Sequence, residues 1–142
     1  MGRMEGRKAV VTGAAGGIGK AIAALYTREG AKVAIVDIDQ RLADEAAQEV
    51  GAVAAFACDV TKMAAVEEMS AKAAAVLGEV DTLVNNAGIP GRGLLVDIDE
   101  ALIDRVISVN VKGVILAAKA FAPYLVKVGK SGRDASIVNM SS

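Results

Sequence analysis

The stretch that decides the fold is Thr12-Gly13-Ala14-Ala15-Gly16-Gly17-Ile18-Gly19, which follows the apolar run Ala9-Val10-Val11. Glycines at such a place permit a tight turn, let backbone N–H groups approach a pyrophosphate, and let a helix pack closely on a strand. The N-terminus of the following helix adds the positive end of its dipole. A glycine-rich turn that binds no ligand is the alternative. A Walker A loop is excluded, because it requires Gly at position 14 and Ser or Thr at position 21, where this chain has alanine.

Asp37 strengthens the case for a dinucleotide. It ends the second apolar run, eighteen positions after Gly19, close to the spacing at which a carboxylate meets the adenosine ribose. A carboxylate there accepts hydrogen bonds from the ribose hydroxyls and repels a 2′-phosphate, and Asp39 adds a second negative charge. Arg41 is the nearest cation and is expected to face solvent. The residues therefore predict NAD rather than NADP as the cofactor, with a solvated aspartate at a strand end as the alternative.

Short apolar runs alternate with helical patterns along the chain. The runs are rich in β-branched residues and continuous, which is typical of parallel strands covered on both faces by helices. The expected strands are Ala9–Val11, Val33–Val36, Val53–Cys58, Leu83–Val84 and Ile137–Val138. The expected helices are Ile18–Glu29, Arg41–Val50, Ala64–Leu77 and Glu100–Lys127, of which the first three are followed by the capping residues Gly30, Gly51 and Gly78. This order predicts an α/β fold with a doubly wound, Rossmann-like parallel sheet in one domain, 1–142, that is truncated after its fifth strand.

The composition excludes several classes of function. The 142 residues carry 16 basic and 17 acidic side chains, so no charge excess predicts binding to nucleic acid or to a membrane surface. The chain has no histidine, which removes Ser-His-Asp and Cys-His catalysis and His-ligated zinc, and we expect no metal. The single cysteine, Cys58, is expected in the core. With no signal peptide or membrane span in the sequence, we expect a cytoplasmic location.

Five motifs, in order along the chain, resemble those of the short-chain dehydrogenase/reductase family. They are the glycine pattern at Thr12, Gly13, Gly17 and Gly19, then Asp59-Val60, Asn85-Asn86-Ala87-Gly88, Asn110 within Ser108–Gly113, and Ile137 to Ser142. The resemblance implies a nicotinamide cofactor site made of Gly13, Gly17, Ile18, Gly19, Asp37, Asp59, Val60, Asn86, Ala87 and Gly88. It places Asp59 and Val60 against the adenine ring and Asn86 beside a ribose.

The resemblance also implies two catalytic residues, Asn110 and Ser142. The serine of the family positions the substrate oxygen, and Ser141 is the alternative to Ser142 because the family's serine commonly follows another serine. The residues alone put Asn110 in the apolar stripe of the Glu100–Lys127 helix, so a buried amide bonded to neighbouring backbone is its alternative role. That stripe comprises Ile103, Val106, Ile107, Val114, Ala118, Phe121 and Leu125.

The Y-x-x-x-K motif of the family is absent from the chain. Tyr26 and Tyr124 both precede Ser141, and the lysine position holds Gly30 and Val128 respectively. We therefore expect the tyrosine and the lysine beyond residue 142, and the 142-residue chain alone to be inactive. The resemblance implies an NAD-dependent oxidoreductase that interconverts a small-molecule secondary alcohol and a ketone. A non-catalytic nucleotide-binding or regulatory module is the alternative if 142 residues is the full length.

A second apolar face on the Glu100–Lys127 helix predicts self-association. A narrow polar stripe separates the two faces and consists of Arg105, Lys112 and Lys119. The residues expected to face away from the sheet are Leu102, Val109, Val111, Ile115, Ala117 and Ala122. One sheet covers only one side of a helix, so this face needs another partner, and a missing C-terminal segment is one alternative. The resemblance implies a homodimer or homotetramer, with Val111, Ile115 and Ala122 at or near a subunit contact.

Overall fold

Five parallel strands form the central sheet of the computed structural model, which describes residues 2–141. Their bounds are β1 Lys8–Thr12, β2 Lys32–Asp37, β3 Ala54–Ala57, β4 Thr82–Asn85 and β5 Ser136–Asn139. The order across the sheet is β3-β2-β1-β4-β5. The chain moves outward from β1 to β3 and then crosses to β4 on the other side of β1, which confirms the doubly wound, Rossmann-like sheet. In such sheets ligands bind at the carboxyl edge where the direction reverses, here between β1 and β4.

Helices connect the strands and cover both faces of the sheet. Their bounds are α1 Gly17–Arg28, α2 Gln40–Val50, α3 Met63–Leu77, α4 Glu100–Ile107 and α5 Gly113–Lys130. Asp39 caps the start of α2, because its carboxylate accepts a hydrogen bond from the Leu42 N–H at 3.0 Å. Gly51 and Gly78 end α2 and α3 with φ angles of 72° and 82°, the left-handed geometry expected of a glycine cap. Gly30, with a φ of 98°, follows Glu29, the C-cap residue of α1.

Two apolar clusters flank the sheet, because successive residues of a strand point to opposite faces. Val10 packs in the cluster beneath α3 and α5, whereas Val11 packs in the cluster beneath α1 and α2. The fully buried ring of Phe121 belongs to the first of these clusters. A strand that is buried on both faces has apolar residues at successive positions, whereas a half-exposed strand alternates apolar and polar residues. This explains the continuous apolar runs of the sequence. The outer strand β5 is less covered, with Ile137 44% exposed.

The expected single helix from Glu100 to Lys127 is interrupted in the structure. A π-helical segment, Ser108–Lys112, separates α4 from α5, and a 3₁₀ turn, Leu95–Asp97, precedes α4. A π turn contains one residue more than an α turn, so the faces of the helix rotate by about 100° across it. Positions spaced for one buried face before the π-helical segment therefore do not fall on the buried face after it.

Several burial predictions for this helix are wrong for that reason. Ile103 and Ile107, predicted in the buried stripe, are 46% and 53% exposed. Asn110, predicted to be buried in the same stripe, is also exposed. Ala117, predicted to face outward, is only 1% exposed, and Val109 packs against the core rather than facing solvent. The remaining members of the predicted stripe are buried or half-buried: Val106, Val114, Ala118, Phe121 and Leu125.

Candidate cofactor-binding site

A cavity of about 320 Å³ lies at the carboxyl ends of the central strands. Its lining comprises Gly13, Val36, Asp37, Ile38, Cys58, Asp59, Val60, Asn86, Ala87, Gly88, Ile89 and Val109. All of them except Val109, which lies in the π-helical segment, end or follow β1, β2, β3 or β4, so the four strand ends converge on one concave surface. The size is typical of the smaller pockets that bind organic ligands, about 300–1,000 Å³.

Most of the predicted cofactor residues meet at this cavity. The lining contains seven of them, namely Gly13, Asp37, Asp59, Val60, Asn86, Ala87 and Gly88. Gly17, Ile18 and Gly19 do not line it and form the first turn of α1. Sequence reasoning missed Val36, Ile38, Cys58, Ile89 and Val109 as lining residues. Each of these five residues is next in the sequence to a predicted site residue, and this position in the chain could have identified them.

Gly13 and Gly19 allow the close approach of the turn to the segment after β4. Gly13 has a φ of 62°, and a Cβ added to it would lie 2.7 Å from the Ala87 Cα. A Cβ on Gly19 would overlap the side-chain nitrogen of Asn86 and would lie 2.5 Å from the Gly13 carbonyl oxygen. Both positions therefore exclude any side chain for steric reasons.

Gly16 and Gly17 have a different environment, because a Cβ on either would meet no atom within 4 Å. Gly17 has a φ of 55° and begins α1, while Gly16 provides no side-chain hydrogen bond to the helix. The first N–H groups of a helix have no intrahelical partners, so this open end is suited to an anion. Ile18, 65% exposed, lies on the same turn.

Thr12 joins the glycine-rich turn to the segment after β4. Its hydroxyl accepts hydrogen bonds from the N–H groups of Asn86 and Ala87, both at 3.1 Å, and donates to the Val84 carbonyl at 3.4 Å. The Asn86 side chain returns two hydrogen bonds, to the Thr12 carbonyl at 3.1 Å and to the Gly13 carbonyl at 3.0 Å. All the hydrogen-bonding capacity of the Thr12 hydroxyl is used, so this network holds one wall of the cavity in a fixed position.

Asp59 is held as a carboxylate at the end of β3. Its Oδ1 atom accepts hydrogen bonds from the Thr61 hydroxyl at 2.7 Å and from the Thr61 N–H at 3.0 Å. These two hydrogen bonds, with smaller contributions from the charges of Lys62 and Lys112, lower the pKa of the Asp59 carboxyl. A fixed, ionised acceptor is therefore available at this end of the cavity.

Cys58 is both a core residue, as predicted, and a lining residue of the cavity. It is 6% exposed and packs in the cluster beneath α3 and α5. Burial raises the pKa of its thiol to about 11, and the nearby carboxylates of Asp59 and Glu68 add to the effect. The thiol is therefore protonated and unreactive near neutral pH, so we assign it no chemical role.

Of the two predicted catalytic residues, the structure describes Asn110, which contacts a residue that lines the cavity. The Asn110 side chain bonds to the backbone of Ile89, a lining residue, through its carbonyl oxygen at 2.8 Å and its nitrogen at 2.9 Å. Ser141 is exposed two positions after the end of β5, and Ser142 lies outside the described residues. The end of β5 is tied to β4, because the Asn85 side chain donates to the Asn139 side chain at 2.9 Å.

Within residues 2–141 no group of three or more His, Cys, Asp or Glu side chains is arranged to hold a metal ion. None of the helices in that range is long and apolar enough to cross a membrane.

Comparisons with known proteins agree with this geometry. The family model for short chain dehydrogenase matches residues 7–142. A sorbitol dehydrogenase from Cereibacter sphaeroides is 39% identical over 141 residues, which are 99% of this chain and 54% of that protein. A 3-oxoacyl-acyl-carrier-protein reductase from Thermotoga maritima is 40% identical over 144 residues, which cover 99% of this chain and 57% of that protein. The chain spans about half the length of the curated relatives it matches.

Solved structures show the same arrangement of strands and helices. A 3-ketoacyl-(acyl-carrier-protein) reductase from Brucella melitensis, complexed with NADH, is similar with a TM-score of 0.94 and 38% identity. The similarity covers 98% of this chain and 58% of that chain. A short chain dehydrogenase from Mycobacterium smegmatis gives a TM-score of 0.89 at 35% identity, covering 100% of this chain and 60% of that chain.

Proposed function

Since the chain belongs to the short-chain dehydrogenase family, a family of oxidoreductases with a nucleotide-binding Rossmann fold, we propose that its cavity binds NAD. We further propose that the chain is the cofactor-binding part of an enzyme that interconverts a small-molecule secondary alcohol and a ketone. The observation that carries the proposal is the convergence of seven predicted cofactor residues on one cavity at the switch point of the sheet. When bound there, NAD supplies the hydride acceptor of the reaction.

The residues present fit a dinucleotide. The open space around Gly16 and Gly17, at the free N-terminus of α1, suits a pyrophosphate. Asp37 offers a carboxylate to the adenosine ribose, and the resemblance assigns Asp59 and Val60 to the adenine ring. The same resemblance places Asn86 beside a ribose, and Asn86 directly follows the end of β4.

The charges around the site support NAD over NADP. Asp37 lines the cavity, and a 2′-phosphate on the adenosine ribose would be placed close to its carboxylate. The cations nearest to the turn and to Asp37 in the sequence are engaged elsewhere: Lys20 pairs with Glu49, and Arg41 pairs with Glu45 at 2.6 Å. The 2′-phosphate would therefore meet a negative charge without an obvious counter-ion.

The chain's own residues would prepare the site for catalysis. In the proposed reaction the Ser142 hydroxyl donates a hydrogen bond to the substrate oxygen and fixes its position, with Ser141 as the alternative. Asn110 holds Ile89 and so shapes the wall beside Gly88. The resemblance assigns proton transfer to a tyrosine and a lysine that follow the serine, so we expect no turnover from residues 1–142 alone.

Titration of the purified chain with NADH and NADPH, followed by nicotinamide fluorescence, tests the cofactor proposal. We expect NADH to bind roughly tenfold more tightly or better, about 1.4 kcal/mol. Replacing Asp37 with Ser together with Ile38→Arg is expected to reverse that preference, while the control Asp39→Asn leaves it in place. A wild-type chain that prefers NADPH, or that binds neither cofactor, would overturn the proposal.

We also propose a homo-oligomer, dimer or tetramer, formed through the outer face of α4 and α5. Val111 and Ile115 are 52% and 59% exposed, and Ala122 is half-buried beside them. An apolar surface of this kind is suited to a second copy of the chain. Light scattering of the full-length protein is expected to show association that Ile115→Asp weakens. A monomer at micromolar concentration, or a fully associated Ile115→Asp variant, would contradict this.

A cytoplasmic location stays a prediction of the sequence. Fractionation of cells that express the full-length protein at its natural level would test it, and recovery in a membrane or secreted fraction would contradict it.

A further inference from the structure

The end of β2 holds two consecutive amides of the glycine-rich turn. The Ala14 N–H donates to the Val36 carbonyl at 3.2 Å, and the next amide, that of Ala15, donates to Oδ2 of Asp37 at 3.0 Å. The other carboxylate oxygen, Oδ1, accepts from the Ile38 N–H at 2.8 Å. Both oxygens of Asp37 are thus fixed by backbone groups, and one of them is bonded directly to the turn.

The turn has few other restraints of its own. Residues 14–17 are alanine and glycine, which have no polar side chains, and Gly16 gives α1 no side-chain cap. Among the described residues, the Asp37 carboxylate provides the one side-chain hydrogen bond made to positions 14–18. Glycine also has the largest freedom to lose when the backbone is ordered. The Asp37 carboxylate therefore adds a side-chain restraint to a segment that is otherwise held by backbone hydrogen bonds and by the burial of Ala14.

We propose that Asp37 is a positioning residue for pyrophosphate binding, in addition to its expected contact with the adenosine ribose. By holding the Ala15 N–H, it fixes the turn whose following amides, at the start of α1, face the phosphates. This inference rests on the proposed function. It also means that Asp37 acts on an anion in two opposite ways, because its charge repels the ligand while its hydrogen bond orders the ligand's binding turn.

Amide hydrogen exchange measured by NMR on the chain without any ligand tests the hydrogen bond itself. The Ala15 amide is expected to exchange at least tenfold faster in Asp37→Ala than in wild type. Asp37→Asn retains one acceptor oxygen, and with that oxygen directed at the Ala15 N–H and the exposed Ile38 N–H left to water, Ala15 is expected to stay within about threefold of wild type. The control Asp39→Asn removes a nearby charge but keeps the cap on Leu42, so it should leave Ala15 unchanged. Equal exchange of Ala15 in wild type and Asp37→Ala would overturn the proposal.

Binding of inorganic pyrophosphate, which has no ribose, then distinguishes two effects of Asp37 on the ligand. One is the ordering of the turn by its hydrogen bond, and the other is the repulsion of the anion by its negative charge. Loss of the negative charge alone predicts tighter binding for both Asp37→Ala and Asp37→Asn. The positioning role predicts tighter binding for Asp37→Asn only, with Asp37→Ala at least threefold weaker than Asp37→Asn. Equal affinities of the two variants would overturn it. If wild type and Asp37→Asn bind neither pyrophosphate nor NADH, the proposed function fails, and the exchange of Ala15 still decides whether Asp37 holds the turn.

Discussion

Asn110 meets the backbone of Ile89 through both halves of its side-chain amide, accepting from the N–H at 2.8 Å and donating to the carbonyl at 2.9 Å. The contact joins the π-helical segment between α4 and α5 to a residue that lines the cavity. Such a two-bond bridge needs an acceptor and a donor side by side in one flat group, which the amide of Asn or Gln provides without a change of protonation. Asn110 is therefore a structural support of the site, whatever further part it has in catalysis.

The first prediction concerns this bridge. Asn110→Ala removes both hydrogen bonds and is expected to lower the free energy of unfolding by about 1–3 kcal/mol, because each bond contributes about 0.5–1.5 kcal/mol. Urea denaturation of the chain measures the change. The control Lys112→Ala, an exposed change in the same segment, should stay within about 0.5 kcal/mol of wild type. An Asn110→Ala variant as stable as that control would show that the bridge contributes little.

Three glycine-to-alanine changes are expected to differ in sign and size. Gly13→Ala combines a left-handed backbone with a clash against Ala87 and should cost about 3 kcal/mol or more. Gly17→Ala has the left-handed backbone but no clash, so a cost of about 1–2 kcal/mol is expected. Gly129→Ala, in the open last turn of α5, should stabilise the chain by about 0.5 kcal/mol. Thermal unfolding ranks the three variants, and any other order would contradict this account of the turn.

The acid stability of the chain is expected to depend on Glu79. Hydrogen bonds from Arg133 and Lys8 lower the pKa of the Glu79 carboxyl to about 2. Because the folded pKa lies below the unfolded value of about 4.3, the resulting stability is present above that value and is lost as the pH falls towards 2. The stability difference between wild type and Glu79→Gln should therefore shrink between about pH 5 and pH 2. Glu67→Gln, at an exposed position on α3, serves as the control, and a Glu79→Gln difference that does not change with pH would contradict the prediction.

The Cys58 thiol should ionise only at high pH. Burial, followed by the charges of Asp59 and Glu68, raises its pKa to about 11. Ionisation of the thiol is followed by thiolate absorbance in the ultraviolet, and the absorbance of the Cys58→Ser variant is subtracted to remove the tyrosine signal. The folded chain should show a midpoint roughly two pH units above that of the urea-unfolded chain, whose midpoint is expected near 8.5. The folded chain holds the proton more tightly, so this contribution to stability is full below about pH 8.5 and is lost as the pH rises through 11. A midpoint below pH 9 in the folded chain would be inconsistent with the burial of the thiol.

The sequence allowed the doubly wound parallel sheet and most of the cavity to be predicted. Five apolar runs and a glycine-rich turn are local features, and parallel strands bring their carboxyl ends together wherever they pair. This is why Asp37, Asp59 and Gly88 could be assigned to one site from spacing and resemblance alone.

What could not be predicted depends on contacts between distant segments. The π-helical segment at Asn110 breaks the helical period, and its partner Ile89 is 21 positions away. The same holds for the bond between Asp37 and Ala15, and for the hydrogen bonds that Thr12 makes with Asn86 and Ala87. A period of 3.6 residues applied across Asn110 placed Ala117 on the wrong face, because periodicity carries no information on where a helix changes its winding.

The most direct test of the central claim is an NMR titration of the isotope-labelled chain with NADH. Binding of NADH at the cavity predicts that the largest amide shifts occur at Gly13, Gly17, Asp37, Asp59 and Gly88, and that NADPH produces them only at roughly tenfold or higher concentration. The outer face of α5, marked by Ile115 and Lys119, should remain unchanged. Shifts absent from the cavity, or NADPH acting at concentrations equal to or below those of NADH, would contradict the account.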